Sequence, residues 1–447
     1  MCIDVYESMI PKLLRHHIAS YYKKNFSKKK FVAGVSPVPV SGKVFDDKEL
    51  LSGVEAVLDG WWTEGHFAKE FEEAFGKFVG VNYVSLVNSG SSANLVALTS
   101  LTSPILRERA LTPGDEVISV ATGFPTTINP IVQNRCTAVL LDNDLVTKNV
   151  NPKDLARAIT PKTKVIMMAH TLGNLMPLDE IMRLVAKHNL WFIEDCCDAL
   201  GGEYKGKKAG TFGHIATFSF YPAHQITMGE GGAVITSDSK LNRAIRQFRD
   251  WGRDCWCDTG RDNTCGMRFT WKLGELPYGY DHKYTYSQIG YNLKLTDMQA
   301  ALGLAQLKKL KGFIRKRREN FAYLYQCFKT LEQYFILPEA LPGANPSWFG
   351  FPIVVKDGAP FTKLDLVNYL EKRNIQTRSI FAGNLTRHPA YLHRTDIRTV
   401  FDLVHSDKLM TDAFWIGVYP GITKQMLDFV GDSIVSFITR EKSGRLG

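Results

Sequence analysis

No stretch of the 447 residues approaches the roughly eighteen consecutive apolar positions that a membrane-spanning helix needs. The first residues, MCIDVYESMIPKLLRHHIASYYKKN, also lack the uninterrupted apolar core of a signal peptide. A cytoplasmic protein with no membrane span is therefore expected. Cysteine is sparse, at eight, and in a reducing compartment these residues read as thiols or metal ligands rather than disulfides. No Gly-x-Gly-x-x-Gly turn opens a helical stretch, so the chain carries no nicotinamide signature and no hydride source of its own. Internal repeats and low-complexity tracts are absent too. The net charge is +10, but its lysines and arginines are spread along the chain, and the one dense run, KKNFSKKK (23–30), reads as a solvated face. With no recognition helix and no basic-aromatic platform, nucleic acid is not an expected partner.

What is present is an ordinary globular composition, 45% hydrophobic and 22% charged, in a chain too long for one core. Residues 1–44 end in VSPVPVSGK, a lead-in expected on the surface. Beyond it, short β-rich runs (DEVISVA, TAVLLDND, KVIMMAH, LWFIEDCC, IATFSFY, GGAVITSD) alternate with helical patterns such as PLDEIMRLVAKHN. LVALTSLTSPILRERAL is helical in part, with Pro104 interrupting it. This alternation predicts a mainly parallel sheet covered by helices, with ligands at the C-terminal ends of the strands. TDMQAALGLAQLKKLKGFIRKRRENFAYLYQCF reads as one long amphipathic helix leading into a second domain. The boundaries expected are 1–44 (extension), 45–310 (large domain) and 311–447 (small C-terminal domain).

Several strand ends carry polar groups. NSGSSANLVAL sits at a helix start, where Gly90 frees the backbone, Ser91 and Ser92 offer hydroxyls, and amides and dipole together favour a phosphate. By itself the motif is equally a serine N-cap. Ser219 ends IATFSF with another hydroxyl. Asp195 closes an apolar strand in IEDCCDALGG, where it can cap a helix or keep a pyridine nitrogen protonated, making that ring an electron sink. Phe124 in ATGFPTT can stack on such a ring or simply fill the core. The stretch TFSFYPAHQITMGEGGAV (217–234) has the setting of a cofactor-bearing lysine but contains no lysine; its one basic side chain is His224.

Together and in this order, these pieces resemble the DegT/DnrJ/EryC1/StrS sugar aminotransferases, which act on nucleotide-linked keto sugars. The likeness runs from about residue 45 to about residue 440 and includes GWWTEGHFAKEFEEAFGKFVGV, NSGSSA, IEDCCDA and GYNLKLTDMQAALGLAQL. It implies the aspartate aminotransferase fold (pyridoxal phosphate fold type I), an α/β architecture with a large, mostly parallel domain and a smaller α+β C-terminal one. It also implies a homodimer in which Gly90, Ser91 and Ser219 hold the cofactor phosphate, Phe124 stacks, Asp195 pairs with the ring nitrogen, and Asn292 reaches the phosphate in the neighbouring subunit.

Two departures set this chain apart from the main family. His224 replaces the Schiff-base lysine, so the cofactor cannot be held covalently and is expected as pyridoxamine 5'-phosphate (PMP). A histidine titrating near neutrality suits removal of a proton from the cofactor methylene. The second departure is DWGRDCWCDTGRDNTCGM, with Cys255, Cys257 and Cys265 in eleven residues. Three such thiols ask for a soft metal, and with Cys197 as a fourth they suit zinc or an iron–sulfur cluster. Cys196 competes with Cys197, while Cys2, Cys136 and Cys327 read as ordinary thiols. The spacing, with GNLTRHPAY and ELPYGYDHKYTYSQIGYNLK, resembles one branch of the family, the CDP-4-keto-6-deoxyglucose-3-dehydrases. That branch implies a [2Fe–2S] cluster on Cys197, Cys255, Cys257 and Cys265, electrons from an NADH-dependent flavin iron–sulfur reductase, and loss of the C3 hydroxyl of a CDP- or dTDP-linked 4-keto-6-deoxyhexose in 3,6-dideoxysugar and lipopolysaccharide O-antigen biosynthesis. The rival is a cluster-free dehydratase that regains its amine from glutamate.

Overall fold

The apolar runs bounded by turn residues fold as strands of one eight-stranded sheet. In this computed structural model, which describes residues 10–27, 29–257 and 259–443, the strands are β1 (Tyr83–Val87), β2 (Glu116–Val120), β3 (Thr137–Leu141), β4 (Thr163–Ala169), β5 (Trp191–Asp195), β6 (Ile215–Ser219), β7 (Gly232–Thr236) and β8 (Ile397–Thr399). Their spatial order is β1-β7-β6-β5-β4-β2-β3-β8. Only β7 runs antiparallel, to both β1 and β6; the other pairings are parallel. β2, β5, β6 and β7 are buried at every position, as strands covered on both faces must be. Helices supply the cover: Leu178–His188 buries Leu178, Ile181 and Val185 and stops where Asn189 turns left-handed. The helix over Gly90–Ser100 ends before Pro104, and a short 3-10 turn follows at Pro104–Arg109.

A second core lies toward the C-terminus. There the strands Phe335–Ile336, Gly350–Val355, Ala413–Gly417 and Arg378–Ser379 form a four-stranded sheet, with Phe321, Leu324, Phe328, Phe351 and Phe414 packed together. The helix Leu310–Lys329 joins the cores, since Leu310 and Ile314 pack with the first and Phe321 onward with the second. The chain also crosses back: Ala344–Asn345 pairs with Glu203–Tyr204, and β8 adds to the edge of the large sheet beside β3.

Two expectations are corrected. The long helix is two, Asp297–Leu307 and Leu310–Lys329. The chain turns at Lys309, whose ammonium is tied to Glu49 (2.6 Å) and Asp46 (2.8 Å), while the first helix lays Ala300, Ala301 and Gly303 against the helices Asp47–Leu58 and His66–Val79. The VSPVPVSGK lead-in is not superficial either: Val38 and Val40 are 4% and 2% exposed, and Val38 bridges to Ile375 of the small core. Preceding it, the helix Lys12–Phe26 buries none of its residues. Cys2 lies outside the described residues.

Candidate active site and thiol cluster

Parallel strands deliver their C-terminal ends to one edge, and the polar residues singled out in the sequence collect there. Asp195, the last residue of β5, is 4% exposed. Its Oδ2 accepts hydrogen bonds from Asn94 Nδ2 (2.7 Å) and Thr127 Oγ1 (2.8 Å), and its Oδ1 accepts from the Cys197 amide (3.1 Å). Among the described residues no lysine or arginine forms an ion pair with it. A buried carboxylate held by neutral donors alone calls for a cation from outside the chain, and a protonated pyridine fits that role.

The helix Gly90–Ser100 begins beside this carboxylate. Ser89 caps it by accepting from the Ser92 amide (3.1 Å), and Ser92 Oγ donates to Asn88 Oδ1 (2.6 Å). The amides of Gly90 and Ser91 lie in the first turn, where an α-helix offers no partner of its own. Ser91 is exposed and Ser219 is 7% exposed. Gly90 is required for the close approach: a Cβ there would lie 2.5 Å from Ser219 Cβ and 3.0 Å from Cys197 Sγ. Gly90, Ser219, Asp195 and Cys197 are thus brought to one place. Phe124 stands at the N-cap of the helix Pro125–Gln133 that follows β2, half exposed and edge-on to Phe381. Asn292 is exposed, bridged through its backbone to Asp250, with Oδ1 accepting from Lys294 (3.1 Å).

His224 follows β6 in a turn whose carbonyls are clamped by Arg317. That guanidinium donates to the backbone oxygens of Ala223 (3.1 Å) and His224 (2.9 Å). The imidazole is 14% exposed, packs against Phe349 at 5.0 Å, and points Nδ1 at Asp198 Oδ1, 3.6 Å away. No lysine occurs between Lys208 and Lys240. The near-neutral titration expected of His224 is not what this setting gives. Burial, and then the Arg317 charge, pull its pKa down to about 3. Burial, and then repulsion from Asp195, push Asp198 up to about 8. Both shifts favour the uncharged forms, a protonated Asp198 and a neutral imidazole.

Asp198, Asn94, Thr127 and Arg317 were not singled out from the sequence. Asp198 lies three residues beyond Asp195 in the same motif, which was a usable signal; the other three reach the site only through packing.

The sulfurs of Cys255, Cys257 and Cys265 lie within 4.8 Å of one another, and Cys197 is not in that group. The four cysteines expected to act together therefore divide into a cluster of three and one member in the pocket beside Gly90. Cys196 is buried in the core against Glu194 and His170. Glu194 there also accepts the amides of Gly210 (2.9 Å) and Phe212 (2.7 Å), a structural role. The described cysteines are all unpaired. Cys255 and Cys257 border a cleft of about 870 Å³ that Trp61, Glu64, Arg246 and Trp256 also line. No described helix is long and apolar enough to cross a membrane.

Residues 45–435 match the DegT/DnrJ/EryC1/StrS aminotransferase family, and the chain belongs to it. It is 54% identical to the lipopolysaccharide biosynthesis protein RfbH of Salmonella typhimurium, over 94% of this chain and 96% of that protein. It is 50% identical to a dTDP-4-dehydro-2,6-dideoxy-D-glucose 3-dehydratase of Saccharopolyspora spinosa, over 97% and 94%. Among solved structures, the Escherichia coli GDP-4-keto-6-deoxy-D-mannose-3-dehydratase with bound hydrated PLP superposes with a TM-score of 0.80 at 27% identity, over 89% of this chain and 98% of that one. The same kind of enzyme has been captured with a trapped PLP–glutamate geminal diamine. The aspartate aminotransferase fold expected from the sequence is the fold present.

Proposed function

We propose that this family member removes the C3 hydroxyl of a nucleotide-linked 4-keto-6-deoxyhexose, using PMP held without a covalent bond. The observation that carries this reading is His224, a buried imidazole 3.6 Å from Asp198 in a stretch that contains no lysine. Gly90, Ser91 and Ser219 would hold the phosphate, Asp195 the ring nitrogen, and Phe124 a ring face; Asn292 would serve the neighbouring subunit of a homodimer. Bound there, PMP supplies an amine for the C4 ketone and a ring that accepts negative charge. His224 takes a proton from the cofactor methylene. The proton that His224 takes is the one it would pass toward the departing hydroxyl, and Asp198, 3.6 Å from the imidazole, is placed to orient the ring. Asn94 and Thr127 keep Asp195 in the orientation its partner needs. Arg317, by gripping the 223–224 backbone, fixes where the imidazole sits.

Replacing C3–OH by C3–H takes two electrons, and two sources have support. The likeness to a dehydratase captured with PLP and glutamate favours glutamate, which would return the cofactor to its amine form and leave as a 2-oxo acid. The converging thiols favour the second source, a metal cluster fed one electron at a time by a reductase. One incubation separates them. The protein with PMP is given CDP-, dTDP- or GDP-linked 4-keto-6-deoxyhexose and either glutamate or a chemical reductant, and products are read by NMR. A 3-deoxy sugar formed with glutamate supports the first source, and one formed only with reductant supports the second. A 4-amino sugar with its C3 hydroxyl intact would overturn the dehydratase reading.

A further inference from the structure

The side chains at the centre of the site are held from across the boundary between the two cores. Arg317 is fully buried on the helix Leu310–Lys329 that joins them. One side of its guanidinium holds the carbonyls of Ala223 and His224. The other, Nη1, donates to the backbone oxygens of Trp348 (3.2 Å) and Phe349 (3.1 Å), just before the small-domain strand Gly350–Val355. A guanidinium is a rigid planar fork, so bonds on both sides fix the two stretches relative to each other. Gln225, 2% exposed, makes a second tie. Its Nε2 donates to the Asp198 backbone oxygen and to Ser347 Oγ (3.2 Å). A carbonyl can only accept, so the amide nitrogen must face Asp198. That orientation leaves Gln225 Oε1 buried with no partner among the described residues, an arrangement that costs stability. Between the two ties the backbone is strained. Leu172 and Trp348 adopt φ of 52° and 29°, and the Phe349 amide donates to the Leu172 carbonyl (2.8 Å). Side chains of this size settle in the left-handed region only where their surroundings impose it. Gly173 shows how closely these stretches approach: a Cβ there would lie 2.8 Å from the Asp198 backbone oxygen and 3.0 Å from the Phe349 nitrogen.

We infer that Arg317 and Gln225 are positioning residues through which the 347–349 edge of the small domain sets the geometry of the His224–Asp198 pair. Both residues of the pair are tied by their backbone to that edge, and Phe349 also packs on the imidazole at 5.0 Å. A shift of the edge is therefore felt at His224, while the phosphate and ring contacts of the large domain stay as they are. The inference rests on His224 being the base of the proposed reaction, and the test includes a readout that needs no reaction.

The test compares full-length wild type, Arg317→Lys, Gln225→Met, Ser347→Ala and His224→Ala, each with PMP. A lysine keeps the charge but carries its three donors on one nitrogen, which cannot span four carbonyls. Arg317→Lys should lower kcat for dehydration by roughly 10- to 100-fold, Gln225→Met by about tenfold and Ser347→Ala by a few-fold. KM and PMP affinity should stay within about twofold of wild type, since misplacing the base leaves the binding contacts intact. In a His224→Ala background Arg317→Lys should cost nothing further, because it acts through the imidazole. The second arm records ¹⁵N spectra of histidine-labelled protein, with the His224 signal assigned by its absence from His224→Ala. That signal should shift or broaden in all three other variants while the remaining histidine signals stay in place. A wild type inactive toward every sugar, with a His224 signal that responds in this way, overturns the dehydration and supports the positioning. A His224 signal unchanged in every variant, PMP affinity that falls as far as kcat, or a full further loss from Arg317→Lys in the His224→Ala background overturns the inference. If Arg317→Lys does not fold, Gln225→Met and Ser347→Ala decide by the same readouts.

Discussion

The cofactor pocket and the cysteine loop reach order by opposite routes. In the pocket, Ser89, Asp195 and Ser219 stand at or just past the ends of strands whose positions are set by ladder hydrogen bonds and two buried faces. Little is asked of the side chains themselves, because the sheet has already fixed their spacing. The segment from Trp251 to Tyr291 has no strand and no α-helix among its described residues. Isolated bridges tie it down at Asp250–Asn292 and Arg253–Tyr286, and so do side chains gathered on Asp254. A scaffold of the first kind exists before its ligand arrives. One of the second kind has few apolar contacts to hold it and depends on the polar side chains that cross it.

The largest expected effect separates chemistry from architecture. His224→Ala should lower the dehydration rate by about a hundred- to ten-thousand-fold, the range of a positioned base, while PMP affinity and melting temperature stay near wild type; pre-steady-state rates and calorimetry check both. If affinity falls as far as rate, His224 is part of the cradle rather than the base. Asp195→Asn should act on binding instead. Removing the charge that a buried cation would face costs about 2–5 kcal/mol, so PMP affinity should fall by at least roughly thirtyfold, read by titration.

Gly90→Ala probes how tightly the pocket is preset. The new methyl would meet Ser219 Cβ at 2.5 Å, and Ser219 cannot yield without distorting β6. A loss of about 1–3 kcal/mol in stability is expected, together with weaker PMP binding. Thermal melts with and without the cofactor check both.

The difference between the two regions also explains what the sequence could disclose. Strand ends are legible because each apolar run announces where it stops, so Asp195, Ser219 and the Gly90 turn could be found one motif at a time and joined by their order. Asn94 and Thr127 are as close to Asp195 as any of them. They belong to other elements, however, and no local pattern marks a side chain that folding will deliver. Cysteine spacing grouped Cys197 with the loop thiols, whereas only Cys255, Cys257 and Cys265 converge, because spacing along the chain does not say where a loop returns. The break near Lys309 was invisible for a related reason: Lys308 and Lys309 are good helix formers, and only the pull of Glu49 and Asp46 shows why the helix turns there. The near-neutral pKa expected of His224 failed because burial and Arg317 cannot be read from residue type.

The smallest effect concerns Asp198 and His224, and its sign is set by their opposite shifts. Asp198 keeps its proton to about pH 8 in the folded chain but loses it near 4 when unfolded. Between these values the folded state binds more protons, so this group's contribution to stability declines as pH rises from about 4 to 8. For His224 the folded pKa is about 3 against roughly 6.5 unfolded. The unfolded state then binds more protons between them, and stability is lost as pH falls from about 6.5 to 3. Asp198→Asn removes only the first slope. The cofactor-free variant should therefore gain of order 1 kcal/mol over wild type at pH 8.5 and nothing at pH 4, measured as paired melts across that range. A variant equally displaced at both ends would place Asp198 in ordinary packing; a gain confined to high pH, and abolished once PMP is bound, would show that the proton belongs to the working pocket.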